Sequence, residues 1–155
     1  MEESIRLEGT PEEESLVRQM EQALELQKVD PRTYSPLVLA YIGDAVYEVL
    51  IRTRVINRGS MQVNKMHKKS ASLVNAGTQA SLIKVLMDEL TEEELAVYKR
   101  GRNAKSATTA KHAAMMDYRM ATGFEALIGY LYLTGSFDRM LELVHDGLEM
   151  IGEFS

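Results

Sequence analysis

All three prolines of this chain, at positions 11, 31 and 36, lie within its first quarter. After Pro36 no residue lacks the backbone N–H that a helix needs, and none carries the ring that breaks one. The remainder is rich in Leu, Ala, Met, Glu and Lys, with few alternating β-branched stretches. Good helix formers without breakers predict an all-α fold. At 155 residues, 45% hydrophobic and 26% charged, the chain suits one soluble domain with a sizeable core. It has no cysteine, which rules out disulfides and thiol nucleophiles and agrees with a reducing compartment. No apolar run approaches the ~18–20 residues of a membrane span, and the start, Met1-Glu-Glu-Ser, is acidic where a signal peptide is basic. The expectation is a cytoplasmic protein with no membrane partner.

Local signals divide the chain. Thr10-Pro-Glu-Glu13 reads as a capping box opening a helix to about Lys28, so residues 1–30 form an acidic tail and helix appended to a main domain at 31–155. Further helices are predicted at 36–57, at 66–89 with Gly77 a possible bend, and at 92–100, where Thr91 and Glu94 form a capping box and Gly101 is the stop. A loop from Arg102 to about Ala110 follows, then helices at 112–133 and 137–151, the last capped by Ser136.

Two of these helices are apolar nearly all round, and each holds a conspicuous acid. On 36–57, Val38, Leu39, Ile42, Ala45, Val46, Val49, Leu50 and Thr53 form one broad apolar face, with Asp44 opposite. The opposite side also holds Leu37, Ala40, Tyr41 and Ile51, so Asp44 is expected in a low-dielectric setting. On 112–133, Glu125 has only Ala121, Thr122, Ile128 and Gly129 one turn away, none able to neutralise it. Gly43 beside Asp44 and Gly129 one turn after Glu125 permit a close approach of the two helices. Two such acids suggest a shared hard cation. Magnesium suits them because it keeps several waters and takes one or two carboxylates plus phosphate oxygens. The alternative is that each acid caps a neighbouring helix or pairs with Arg52, Arg54 or Arg119.

The net charge of −5 conceals a gradient. Residues 1–30 carry nine acids and three bases, and residues 120–155 six acids and one base, whereas 58–111 carry ten Lys/Arg against five acids. This central basic band can supply a phosphate-binding footprint within an acidic protein, or be a solvated helical face.

Tyr41-Ile-Gly-Asp-Ala-Val-Tyr-Glu48 and Ala121-Thr-Gly-Phe-Glu-Ala-Leu-Ile-Gly-Tyr-Leu-Tyr-Leu133 together resemble the catalytic domain of ribonuclease III over roughly residues 36–152. Lys99-Arg-Gly-Arg-Asn-Ala-Lys105, with no double-stranded-RNA-binding domain, is similar to the small Mini-III branch. Ribonuclease III itself has acids seven and four positions before the aspartate and three before the glutamate; here these are Leu37, Ala40 and Thr122, which puts a two-metal mechanism in doubt. The resemblance implies a homodimeric helical endonuclease that cuts double-stranded RNA with magnesium, manganese being a possible substitute, and no nucleotide or organic cofactor. Asp44 and Glu125 carry over as catalytic and metal-binding residues. It further implies maturation of large-subunit (23S) ribosomal RNA precursor. Lys65, Lys68 and Lys69, and more strongly Lys99, Arg100, Arg102, Asn103 and Lys105, are the expected RNA contacts, reading shape and phosphate in an A-form helix. His67, His112 and His145 are expected to be surface residues or phosphate contacts, not zinc ligands. Two other readings compete: a non-catalytic double-stranded-RNA-binding dimer, and a helical interaction protein whose acids are structural.

Overall fold

The computed structural model describes residues 15–59, 62–105 and 112–154. Among them run seven α-helices and no strand: α1 (Leu16–Ala23), α2 (Pro36–Asn57), α3 (Val63–Val74), α4 (Ala76–Leu86), α5 (Glu92–Asn103), α6 (His112–Leu133) and α7 (Phe137–Met150), with 3-10 turns at Pro31–Thr33 and Met87–Glu89. No helix among the described residues is long and apolar enough to cross a membrane.

A long apolar helix lies at the centre. Phe124, Ala126, Leu127 and Ile128 of α6 are fully buried, and α2, α4 and α5 all pack around them. Helix α2 begins where the Ser35 hydroxyl accepts the Val38 N–H ahead of Pro36, and it crosses α6 antiparallel: Leu39 lies opposite Gly129, and Tyr47 meets the Phe124 ring edge-on at 5.3 Å. The Tyr47 hydroxyl donates to the Leu73 carbonyl at 2.8 Å, tying down the end of α3. Helix α5 opens with the expected Thr91/Glu94 capping box. The same Glu94 carboxylate, buried, receives two bonds from Arg139 of α7 at 2.8 and 2.9 Å. Burial pushes Glu94 up, but the Arg139 guanidinium and the Thr91 N–H outweigh it and hold the carboxyl below its usual range.

Several expectations are corrected. Helix α1 ends at Ala23, not Lys28, because Glu25 adopts a left-handed φ of 53°; the Thr10–Glu13 capping box lies outside the described residues. The 66–89 stretch is two helices, and the break falls at Asn75, whose side chain caps α4 by accepting the Thr78 N–H; Gly77 is not a bend. Ser136 precedes α7 without capping it, its hydroxyl being paired with that of Thr134 at 3.0 Å. The inward face of α2 is Leu39, Ala40, Gly43, Tyr47, Ile51 and Val55, so Val38 and Val49 point outward instead.

Candidate active site

The site is built where two helices touch through glycine. A Cβ on Gly43 would stand 1.8 Å from the Glu125 carbonyl oxygen, and one on Gly129 would stand 2.0 Å from that of Leu39. Only hydrogens fit in that space, so α2 and α6 approach backbone to backbone. The residue after Gly43 is Asp44, and its carboxyl lies within hydrogen-bond reach of the Glu125 carboxyl. The expected close approach is therefore real.

The setting of the two acids differs from expectation in one respect. Asp44 is exposed, not buried, because α2 packs on α6 along one side and leaves the opposite side open; Tyr41 on that side is 81% exposed. Glu125 is the partly buried member. Its carboxyl is pushed up to about 8 by burial first and then by the hydrogen bonding and charge of Asp44, while the Gln79 amide lowers it. Among the described residues no Lys, Arg or His forms an ion pair with either acid. Arg52 is taken by Glu48 at 2.6 Å, which also occupies Glu48, and Arg54 pairs with Glu153 at 3.8 Å. Pairing with Arg52 or Arg54 therefore does not account for the acids.

No third His, Asp or Glu among the described residues joins Asp44 and Glu125 in a metal-sized group. Leu37 is exposed, Ala40 is buried, and the Thr122 hydroxyl is spent on the Tyr118 carbonyl at 2.9 Å. Two adjacent carboxyl groups, with no cation paired to them among the described residues, are a donor set that suits a hard divalent ion completed by water.

The basic residues fall into two groups. Gly101 does not stop α5. It lies inside the helix, where an added Cβ would meet Ala126 Cβ at 2.8 Å and Gly123 Cα at 2.9 Å. The C-terminal turn of α5 is thus seated against the residues flanking Glu125; it holds Lys99 and Arg100 in helix, as expected, and Arg102 and Asn103 in helix as well, not in the expected loop. Arg102 lies over the Tyr98 ring at 5.6 Å and donates to Asn103 at 3.2 Å; Lys99, Arg100 and Lys105 are exposed. Lys111 lies outside the described residues. Lys65, Lys68 and Lys69 are exposed on α3, where Lys69 is engaged by Glu153 at 3.1 Å. His67 and His145 are exposed, as expected of surface residues.

One residue at the site escaped sequence reasoning. Gln79 of α4 is fully buried, and its amide nitrogen donates to Glu125 Oε2 at 3.2 Å. Its signal was a lone amide on the helix face that also carries Ala80, Leu82, Ile83 and Leu86.

Comparison with known proteins gives one answer. Residues 37–136 match the ribonuclease III domain family. The chain is 52% identical over 121 residues to the Mini-ribonuclease 3 of Clostridium tetani, covering 77% of this chain and 80% of that one. It is 44% identical to the Mini-ribonuclease 3 of a Thermoanaerobacter species, covering 91% and 99%. A crystal structure of a Fusobacterium nucleatum protein superposes with a TM-score of 0.69 at 30% identity, covering 79% of this chain and 98% of that one.

Proposed function

Since the chain belongs to the ribonuclease III family and is an endoribonuclease of that family, we propose that it is a magnesium-dependent enzyme of Mini-III type that cuts double-stranded RNA. The observation that carries this reading is the meeting of Asp44 and Glu125 across the Gly43–Gly129 crossing, with no cation paired to either acid among the described residues. Both carboxylates are assigned to the metal, and manganese is expected to substitute. When bound, the ion supplies an activated water for hydrolysis and neutralises the charge that develops on the phosphate.

The protein's own part is to position. The exposed Lys99 and Arg100, with Arg102, Asn103 and Lys105, are assigned to RNA phosphates, next to the turn that carries Glu125. Lys65 and Lys68 extend that role on α3, and Lys69 joins them on releasing Glu153. Recognition by shape and phosphate agrees with the wide minor groove of A-form RNA. The exposed apolar side of α2, with Val38, Tyr41, Val49 and Ile56, supports a homodimer through this helix. On the family resemblance, the duplex is that of a large-subunit ribosomal RNA precursor in the cytoplasm, and residues 1–30 are an extension of a domain at 31–155.

Incubation of the pure protein with end-labelled duplex RNA tests the reading. Products should form with magnesium, stop on chelation and resume when the metal is restored. Asp44→Asn and Glu125→Gln should each abolish them while keeping helical content. Substantial cleavage by either variant at saturating magnesium would overturn the assigned site, and full turnover after exhaustive chelation would overturn the metal.

A further inference from the structure

Gln79 is only 1% exposed. Its amide nitrogen serves two acceptors, the Val74 carbonyl at 2.8 Å and Glu125 Oε2 at 3.2 Å. Its amide oxygen is buried with no hydrogen-bond partner. Turning the amide over offers no relief, because the oxygen would then face the Val74 carbonyl, which can only accept. A buried oxygen without a donor disfavours the folded state, whereas an apolar side chain of the same length fills the space without that cost. Packing alone therefore does not explain a glutamine at this position. What glutamine does and methionine cannot is donate a hydrogen bond to one oxygen of Glu125 while anchored to the end of α3. A carboxylate fixed at one oxygen presents the other in a defined direction.

We infer that Gln79 is a positioning residue that holds the Glu125 carboxylate in the orientation in which it shares a divalent cation with Asp44. The inference rests on the reading of Asp44 and Glu125 as metal ligands, and it gives Gln79 no contact with RNA or the reacting atoms. Side chains that hydrogen-bond a metal's ligands typically set its affinity by about 10–100-fold.

The test is a double-mutant cycle read by binding of Mn²⁺ alone, followed by the loss of the free-ion paramagnetic resonance signal on the RNA-free full chain. Parent, Gln79→Met, Glu125→Gln and the double variant are each measured well below their own melting transitions, with folding checked by circular dichroism. Gln79→Met should weaken binding about 10–100-fold, and Glu125→Gln by at least as much. The double variant should bind no more weakly than Glu125→Gln alone, because Gln79 acts only through Glu125. Turnover of Gln79→Met on duplex RNA should be low at limiting magnesium and return close to the parent's at high magnesium, a rescue that general loosening of the fold would not give. Parental Mn²⁺ affinity in Gln79→Met, or effects that simply add in the double variant, would overturn the role of Gln79 and leave the site standing. Parental affinity and cleavage in Glu125→Gln would overturn the site itself, and the inference with it.

Discussion

Glu125 is an acid whose ionisation the fold opposes. The Glu125 carboxyl moves from an ordinary 4.5 to about 8, through burial and the neighbouring Asp44. An acid raised on folding is protonated in the native state while the unfolded chain has released its proton, so stability falls as pH rises across that interval. In metal-free buffer the melting temperature should decline between about pH 5 and pH 8 and then level off, where Glu125 is ionised in both states. Glu125→Gln should lose that decline and melt above the parent at pH 8, by a few degrees if ~1 kcal/mol is relieved. Magnesium should narrow the gap, since it stabilises only the folded parent. Calorimetric scans of both proteins across this range, with and without magnesium, decide it. A variant melting well below the parent without metal would mean that the carboxylate is a structural partner in the fold.

At the scale of helices, glycine does opposite things at different positions. At Gly43 an added Cβ collides with the Glu125 main chain at 1.8 Å, whereas at Gly77 the nearest atom is a side-chain oxygen of Asn75 at 3.4 Å. Gly43→Ala should force α2 and α6 apart, costing about 3 kcal/mol or more and moving Asp44 away from Glu125, so that cleavage is lost with stability. Gly77→Ala should gain about 0.5 kcal/mol through helix propensity and leave cleavage unchanged. Urea unfolding curves paired with duplex-cleavage rates check both. The sequence made the α2 and α6 spans legible because caps and turn residues act locally: Ser35-Pro36 starts one and Thr134-Gly135 follows the other. The two acids were legible for the same reason, each standing out on an apolar helix. Gly101 reads as a stop in the sequence, because a helix-ending glycine and a helix-crossing glycine look alike until the partner, here Gly123, is known. The inward face of α2 is not legible in the sequence because apolar residues surround the helix, and only packing selects Tyr47 and Ile51 over Val38 and Val49. Gln79 was invisible as a site residue because its partner is 46 positions away in the chain.

Across the whole molecule, acidic termini flank the basic band, so RNA affinity should depend on a local field and respond strongly to salt. Replacing Arg100 and Arg102 with Ala should flatten the log–log salt dependence by up to about one unit for each lost contact. Duplexes of different sequence should suffer about equally, because phosphate contacts read no bases. An unchanged slope and affinity would return the end of α5 to a solvated surface. The exposed stripe on α2 makes a separate prediction: Val49, 63% exposed, changed to Asp should leave a folded monomer where the parent sediments as a dimer. Equal sedimentation of the two would remove α2 from the interface. The glycine crossing also bears on how this enzyme can be altered. Main chain rests on main chain at Gly43 and Gly129, so at that crossing no side chain stands as a spacer between the helices that bear the two acids. For a protein engineer the crossing is a datum, a fixed surface from which the other dimensions are measured. Repacking Leu127 or Ile51 can tune thermostability while the gap between the carboxylates keeps its width, leaving most of the core open to redesign and these two positions closed to it.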